Sequence, residues 1–278
     1  MIEVLAPGPY ASVQDLGRPG YAHLGVPRSG AADTGSLRLA NRLVGNPEDA
    51  AGIELTYGGA RLRFRTGAWV AVTGAPCVVT GGSGMGAPFW VAAGGEVAFG
   101  LPDRGLRTYV AVRGGIAVAP VLGSRSTDSL SGLGPPPLRA GAVLPVGGGR
   151  ALAAISVDLA PLPGVAPGVL RVVPGPRDDW FVSGALRELC AAPYEVSQDS
   201  NRVGVRLAGR ELVRARAGEL PSEGTVAGAV QVPPSGQPIV FLADHPPTGG
   251  YPVIGVVVGA DLAVAAQLRP GERVRFSC

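Results

Sequence analysis

An aspartate and a histidine stand side by side near the end of the chain, at Asp244 and His245. The reference pKa of histidine, about 6.5, is close to working pH, so His245 is a candidate general acid or base. Neighbouring residues of a strand point to opposite faces, so the pair does not by itself imply an Asp–His dyad. We predict both as catalytic residues, and the alternative for His245 is a structural histidine bonded to the backbone.

A glycine-rich turn follows this pair, at Thr248, Gly249, Gly250 and Tyr251. Backbone N–H groups of such a turn can face an anion. Glycine also permits an ordinary tight turn, so both interpretations stay open. We predict that these four residues bind substrate.

Two glutamines flank a Pro-Pro-Ser-Gly turn, at Gln231 and Gln237. Their amides suit recognition of a lactam or a carboxylate. A serine nucleophile nearby is unsupported, because the G-x-S-x-G elbow is absent. The other predicted substrate-binding residues in this half of the chain are Asn201, Arg202, Ser222 and Glu223.

A long segment with little periodicity covers residues 7–32. Such loops are usually functional or disordered, and the polar residues here make disorder the weaker interpretation. Arg18 or Arg28 could bind a carboxylate through two hydrogen bonds, or could instead pair with Asp15 or cap backbone carbonyls. We predict that Gln14, Asp15, Arg18 and Arg28 bind substrate. The segments 14–28 and 244–251 are both expected to line a cleft or a partner surface.

All 24 basic residues are arginines, and the chain has no lysine. A Schiff-base lysine, a P-loop lysine and a biotinylated lysine are therefore excluded. If the function needs ATP or biotin, another chain must supply the usual lysine. The net charge is +3 without a cluster of arginines, so nucleic acid is not an expected partner.

The three cysteines are widely spaced, at Cys77, Cys190 and Cys278. They predict neither a disulfide framework nor a CxxC metal pair, so each is expected to be a small buried residue or an incidental thiol. No metal site is predicted. The N-terminal residues form a strand pattern without a signal peptide, and no apolar run reaches the ~18 residues of a membrane span. A cytoplasmic protein is expected.

Short apolar runs separated by glycine and proline predict many strands and few helices. A strand that runs into a Pro-Gly-Pro turn occurs twice, at residues 2–9 and 170–176. We predict a mainly β protein with two β-barrel lobes, each with a packed helix. The lobes are assigned to residues 1–160 and 165–278, with a join in the Gly-, Ala- and Pro-rich stretch 147–168.

Two helices are predicted from apolar spacing and capping residues. The first runs from an N-cap at Asp33 to about Val44, with a further short helix at residues 46–49. The second runs from about Arg177 to Cys190, and Pro193 stops it.

Three long segments, at residues 14–46, 222–233 and 236–252, resemble the family of 5-oxoprolinase C subunits, also called allophanate hydrolase subunit 2. This family is related to one half of the carboxyltransferase domain of urea carboxylase. The resemblance extends over nearly the whole chain. Two departures are the prolines Pro246 and Pro247, where polar residues are usual, and the proline-rich stretch 134–142.

The resemblance implies cyclophilin-like β-barrel lobes and a cytoplasmic complex with the A and B subunits of 5-oxoprolinase. It implies conversion of 5-oxoproline to glutamate, with ATP and Mg used by the complex and no cofactor assigned to this chain. We predict that the isolated chain is inactive. The alternatives are a carboxyltransferase component of a biotin-dependent urea or amide carboxylase, and a regulatory partner that antagonises a kinase inhibitor. Neighbouring genes would separate the three.

Overall fold

The computed structural model describes residues 1–148, 152–162, 164, 168–218 and 220–278. The chain divides into two compact units. The first comprises Met1–Arg18, Ser29–Asp128 and Gly132–Val165, and the second comprises Pro19–Arg28, Ser129–Ser131 and Ala166–Cys278. The predicted join at 147–168 lies partly outside the described residues, and the lobe boundaries at 160 and 165 stay a prediction.

The first unit contains two five-stranded sheets, with neighbouring strands in the orders β10-β1-β4-β8-β6 and β2-β3-β9-β5-β7. All pairs within them are antiparallel. The strands are β1 (Ile2–Pro7), β2 (Tyr10–Gln14), β3 (Gly52–Thr56), β4 (Ala60–Phe64), β5 (Ala68–Gly74), β6 (Val79–Thr80), β7 (Pro88–Val91), β8 (Glu96–Phe99), β9 (Arg107–Val112) and β10 (Val143–Leu144).

The two sheets share one apolar core, to which strands contribute alternate, inward-facing side chains. In β4, Leu62 and Phe64 are buried while Arg61 is exposed. Ile2 and Val4 of β1 pack in the same cluster as Val70 and Val72 of β5 in the other sheet. The period of two in β4 is what its sequence pattern predicts.

One helix, α1 (Thr34–Leu43), packs on the second of these sheets through a small cluster that includes Ala40 and Leu43. Asp33 is its N-cap: its carboxylate accepts a hydrogen bond from the Ser36 backbone N–H at 3.0 Å and from the Ser36 hydroxyl at 2.7 Å. The prediction of this helix and of its cap is confirmed.

The second unit is built on a closed seven-stranded barrel, in the order β11-β18-β15-β16-β13-β12-β19, and a separate two-stranded ladder, β14-β17. The strands are β11 (Val169–Pro174), β12 (Tyr194–Val196), β13 (Gly204–Ala208), β14 (Glu223–Gly224), β15 (Ala229–Gln231), β16 (Ile239–Phe241), β17 (Thr248–Gly249), β18 (Val253–Val257) and β19 (Arg273–Ser277). Two short helices accompany them, α2 (Ala185–Ala191) and α3 (Leu262–Gln267).

The barrel interior is apolar, and α2 and α3 contribute Leu189 and Ala265 to the same core cluster. The predicted mainly β class is confirmed, and the closed barrel lies in the second unit, whereas the first unit consists of two sheets over one core. In the part of the chain that the structure describes, no helix combines the length and apolar character needed to cross a bilayer.

Two helix predictions are wrong in part or in full. Residues 46–49 form no second short helix: 46–47 are irregular and 48–49 lie in a turn. The helix expected over 177–190 is broken into a 3-10 turn at Asp178–Trp180 and α2. Phe181 between them forms a β-bridge with Arg214, and Gly184 has a positive φ of 87°, which interrupts helical geometry at that point.

The expectation that the cysteines form no disulfide is also wrong. Cys190 of α2 and Cys278, which follows β19, are bonded, with their Cα atoms 6.4 Å apart and 88 positions apart in sequence. Cys77 is the free cysteine. The bond ties a short helix, of which Ala185 and Leu189 are buried, to a barrel strand.

We expect the Cys190→Ser/Cys278→Ser double variant to lose about 2–4 kcal/mol of unfolding free energy, since a cross-link across a long loop restricts the unfolded chain. Urea unfolding of the oxidised wild type, the double variant and a Cys77→Ser control measures this. A reducing agent should lower the stability of the wild type and of the control, and leave the double variant unchanged. Equal stability of all three proteins without reductant contradicts the prediction.

Candidate functional site

Asp244 lies in a turn after β16 and is completely buried in an ion pair with Arg202. The Arg202 guanidinium donates from Nε to Oδ2 and from Nη2 to Oδ1, each at 2.9 Å. Ser129 donates to the same Oδ2 from its backbone N–H at 2.9 Å and its hydroxyl at 2.6 Å. The Asp244 carboxylate therefore accepts a bidentate pair of hydrogen bonds from the Arg202 guanidinium and two further hydrogen bonds from Ser129.

The pKa of Asp244 is lowered despite its burial. Burial alone would raise it, but the charge of Arg202 and the hydrogen bonds from Arg202 and Ser129 outweigh that effect. Asp244 is therefore ionised at neutral pH. Both carboxylate oxygens of Asp244 accept hydrogen bonds within the fold, and the catalytic role of Asp244 stays a prediction.

His245 turns away from this ion pair, into contact with a different set of groups. Its Nδ1 atom lies 3.1 Å from the Thr225 hydroxyl oxygen and 2.9 Å from the Pro246 carbonyl oxygen. Its ring stacks on Phe241, with centroids 5.8 Å apart and planes 15° apart. Burial lowers the pKa of His245, and the bond to Pro246 and the charge of Asp244 oppose that shift without cancelling it. The imidazole is therefore neutral at neutral pH.

The β14-β17 ladder brings the glycine-rich turn beside this histidine. Gly249 pairs with Glu223, and Thr248 pairs with Gly224. A Cβ atom at Gly249 would lie 2.7 Å from the Gln231 Nε2 atom and 3.5 Å from Thr225 Cγ2, so only glycine fits without displacing the amide. Gln231 donates from Nε2 to the Tyr251 carbonyl at 3.2 Å.

We call the residues Thr225, Gln231, His245, Pro246 and Gly249 the His245 cluster. It contains a neutral imidazole, a hydroxyl and an amide, with Arg214 stacked on the neighbouring Tyr251 ring at 5.6 Å. These groups can exchange a proton and hydrogen-bond a polar, uncharged molecule.

Glu223 and Ser222 lie at the edge of the His245 cluster. The single Nε–H of Arg177 is shared between the two carboxylate oxygens of Glu223, at 3.0 and 2.9 Å, and Nη2 donates a further hydrogen bond. The hydrogen bond from Arg177 lowers the pKa of Glu223. Ser222 and Thr248 are exposed.

Two predicted residues of the second unit contact other parts of the barrel. The Gln237 amide pairs with the Gly209 backbone, accepting at 2.8 Å and donating at 3.1 Å. The Asn201 side-chain carbonyl accepts from the Val203 N–H at 2.8 Å. Asn201 lines a surface hollow of about 560 Å³ together with Gln198, Asp199, Ser200 and Arg206. Neither Gln237 nor Asn201 contributes to the His245 cluster.

The predicted substrate-binding residues near the N-terminus lie in both units, with Arg28 in the second and the other three in the first. Asp15 is buried in the first unit, where its carboxylate accepts hydrogen bonds from the Gly17 N–H, the Ser124 and Ser126 hydroxyls and the Arg125 N–H, at 2.6–2.8 Å. This arrangement fastens the loop at 124–126 to the end of β2.

Gln14 and Arg18 are buried in the same unit. Gln14 donates from Nε2 to the Ser12 hydroxyl and the Thr127 carbonyl. Arg18 caps the carbonyls of Ser126 and Val121, at 2.5 and 3.4 Å, and lies 3.8 Å from the Asp128 carboxylate. The alternative of carbonyl capping is therefore what the structure shows for Arg18.

Arg28 is exposed in the second unit. The substrate-binding roles of Gln14, Asp15, Arg18 and Arg28 stay predictions.

Sequence reasoning missed three residues that shape the site: Thr225, Ser129 and Arg177. Each contacts its partner over a long sequence separation, 20 positions for Thr225 and His245 and 115 for Ser129 and Asp244. No local spacing signals such pairs. Among the described residues, no group of three or more His, Cys, Asp or Glu side chains is arranged to hold a metal ion.

The family described as "Carboxyltransferase domain, subdomain A and B" matches residues 24–278. The chain belongs to this family, and the match includes the whole closed barrel and every residue of the His245 cluster.

Among its relatives, the chain is 37% identical to the C subunit of 5-oxoprolinase from Escherichia coli strain K12, over 99% of this chain and 90% of that protein. Two solved structures share the fold over nearly the whole length of this chain. TTHA0988 is 38% identical with a TM-score of 0.88, and the Kluyveromyces lactis urea amidolyase is 33% identical with a TM-score of 0.92. This chain spans 56% of the first and 18% of the second, so each carries further sequence of its own.

Proposed function

We propose that this chain is the C subunit of an ATP-dependent 5-oxoprolinase, which converts 5-oxoproline to glutamate in the cytoplasm together with the A and B subunits. The observation that carries the proposal is the 37% identity to a protein of that name, because it runs over 99% of this chain and 90% of that protein. A match of this extent supports a shared role for the two proteins.

His245 is the acid–base group in this proposal. Opening a lactam requires a proton to be delivered to the leaving nitrogen and taken from a water nucleophile, which a neutral imidazole at working pH can do. Asp244 has a positioning role, because Arg202 and Ser129 occupy its carboxylate oxygens. It fixes the backbone from which His245 projects.

The substrate 5-oxoproline offers a lactam N–H, a carbonyl and a carboxylate. The Gln231 amide supplies both a donor and an acceptor for a lactam. The missing side chain of Gly249 leaves room for the Gln231 amide, because a Cβ atom there would lie 2.7 Å from Gln231 Nε2. Gly249 and Gly250 are proposed to contact the substrate through their backbone. Thr248, Tyr251, Ser222 and Glu223 complete the proposed wall of the site, and Asn201, Gln237 and the N-terminal set of Gln14, Asp15, Arg18 and Arg28 remain proposed contributors.

ATP and its Mg are assigned to the partner subunits. Phosphoryl chemistry needs cationic groups around the phosphates, commonly a lysine with a metal ion. This chain has no lysine. Its own residues would receive the substrate and handle protons, while a partner would handle the nucleotide.

The isolated chain is expected to be inactive, and to support turnover when combined with both partners. The test is to purify the chain alone, each pair, and the complete set, and to measure 5-oxoproline-dependent ATP hydrolysis together with glutamate formation. The matched control omits 5-oxoproline. Robust turnover by the lone chain contradicts the subunit proposal.

The second candidate is a carboxyltransferase component that moves a carboxyl group from carboxybiotin to a urea-like amide. The match to the Kluyveromyces lactis urea amidolyase, with its TM-score of 0.92, favours it. A separate chain would carry the biotin, because no lysine here can be biotinylated. Carboxylation of urea in the presence of a biotin carboxylase and carrier, without any 5-oxoproline turnover, would support this candidate over the first.

A further inference from the structure

The Nδ1 side of His245 is enclosed by two oxygen atoms, whose chemistry decides where the ring carries its proton. The Pro246 carbonyl oxygen is 2.9 Å from Nδ1, and the Thr225 hydroxyl oxygen is 3.1 Å from it. The Thr225 hydroxyl also donates a short hydrogen bond to the same Pro246 carbonyl. Three polar groups thus form a closed triangle.

For a neutral ring, one proton arrangement makes all three contacts of this triangle hydrogen bonds. A carbonyl oxygen has no proton to donate, so the contact at 2.9 Å is a hydrogen bond only if Nδ1 is the donor. The Thr225 proton points to Pro246, which leaves the lone pairs of the hydroxyl oxygen facing Nδ1. The Nδ1–H group then has two acceptors, and the Nε2 atom of the neutral ring keeps its lone pair.

We propose that Thr225 is a positioning residue, which with the Pro246 carbonyl holds His245 in the Nδ1–H tautomer and makes Nε2 the atom that exchanges protons with substrate. The inference rests on the proposed function in its assignment of His245 as the acid–base group. It also explains how the chain tolerates Pro246 and Pro247, since the groups it uses there are backbone carbonyls.

The backbone around Thr225 is built to hold this triangle. The Thr225 N–H donates to the Pro247 carbonyl at 2.9 Å, and the preceding residue, Gly224, pairs with Thr248 in the β14-β17 ladder. The hydroxyl and the two carbonyls are therefore kept in register by main-chain bonds close to the histidine. These main-chain bonds, together with the Thr225 rotamer, set the distance between its hydroxyl and the imidazole ring.

Burial keeps the His245 ring neutral, so the nitrogen that carries its one proton decides which nitrogen can accept another. Asp244 is the adjacent charged group, and its charge is balanced by the ion pair with Arg202. Phe241, Thr225 and Pro246 present no charge to the ring. Burial lowers the pKa of His245, against the opposing effects of Pro246 and Asp244.

The chain has two histidines, so its imidazole tautomers can be observed one by one. The experiment uses the full chain labelled with ¹⁵N at histidine, and long-range ¹H–¹⁵N spectra over a pH titration. A His23→Gln variant assigns the remaining signals to His245. We expect His245 to show the Nδ1–H pattern, and exposed His23 to show the Nε2–H pattern that free imidazole favours.

Thr225→Val should lower the ratio of Nδ1–H to Nε2–H forms about fivefold, because it removes one hydrogen bond from the neutral ring. Thr225→Ser should restore the wild-type ratio, since it keeps the hydroxyl. An Nε2–H ring in the wild type, or an unchanged ratio in Thr225→Val, overturns the inference. The wild-type spectrum tests the tautomer even if the valine variant does not fold, and Thr225→Ala, which also removes the hydroxyl, then tests the role of Thr225 by the same fall in the ratio.

The same variants separate this inference from the proposed function. In the assembled complex, Thr225→Val should lower kcat severalfold with little change in KM, and Thr225→Ser should recover it. An Nδ1–H ring in a complex without any 5-oxoproline turnover would support the tautomer assignment and contradict the proposed function.

Discussion

Replacing Arg202 with methionine is expected to lower the unfolding free energy of the second unit by about 3–5 kcal/mol. Methionine keeps an unbranched apolar side chain at this position. The Asp244 carboxylate, however, stays buried without its cation, and an uncompensated buried charge is strongly destabilising. The exposed fraction of Asp244 is 0% and that of Arg202 is 3%, so solvent does not compensate for the loss.

The matched control is Arg206→Met on β13, because Arg206 is exposed and its loss should change stability little. The double variant Arg202→Met/Asp244→Leu should regain most of the loss, since it removes the unpaired charge. Hydrogen exchange of the β13 and β16 amides across a urea series reports on the barrel alone. Equal destabilisation by Arg202→Met and Arg206→Met would contradict the prediction.

The pH dependence of stability provides an independent check of the same ion pair. The pKa of Asp244 is lower in the folded chain than its usual value, so the pair stabilises the fold fully above about pH 4. That contribution is lost as the pH falls through the lowered folded pKa. In Arg202→Met the carboxyl is buried without its cation, and its folded pKa is expected to rise. The stability difference between wild type and variant should therefore begin to shrink above about pH 4, as the pH falls through the raised folded pKa of the variant, and should go on shrinking until the pH reaches the lowered folded pKa of the wild type.

Elements that depend on residues only a few positions apart could be predicted from the sequence. The alternation in β4 and the cap at Asp33 follow from neighbours within a few positions, and both are seen in the structure. The prediction of one helix over 177–190 was wrong because Phe181 forms a β-bridge with Arg214, which lies outside the predicted helix. A helical pattern cannot reveal a partner that lies so far along the chain.

The same limit applies to polar groups of the candidate site. The sequence singled out Asp244 and His245 as a neighbouring pair, but their partners Arg202, Ser129 and Thr225 come together only through the fold.

The N-terminal polar residues show what their character could and could not predict. The side chains of Asp15 and Arg18 are buried and hydrogen-bonded in the fold. Their polar character in the sequence could not separate binding a ligand from bonding to the loop at 124–126, since both use the same donors and acceptors.

The disulfide shows a third way in which sequence reasoning falls short. Three cysteines without a familiar spacing gave no reason to join Cys190 to Cys278. The barrel closes by bringing β19 beside β12 and β11, and this places the residue after β19 next to α2. The pairing is a consequence of barrel topology, which no spacing of cysteines records.

Replacing His245 with glutamine is expected to reduce kcat of the assembled complex for 5-oxoproline by about 10²–10⁴-fold, the range for loss of a general acid–base group. Glutamine retains hydrogen-bonding capacity and similar length, but it cannot exchange a proton near neutral pH. KM should change little, because the Gln231 amide and the glycine turn are untouched. Steady-state glutamate formation by the complete set of subunits measures both constants.

The chain offers its own control for this variant, since His23→Gln changes the other, exposed histidine. The wild-type complex should lose activity on the acid side, below about pH 6.5, because burial lowers the pKa of His245 and the ring must be neutral to accept a proton. The residual activity of His245→Gln should lack that acid limb, while His23→Gln should keep it. Equal losses from the two substitutions, or an unchanged acid limb in His245→Gln, would contradict the assignment of His245 as the group that exchanges protons with the substrate.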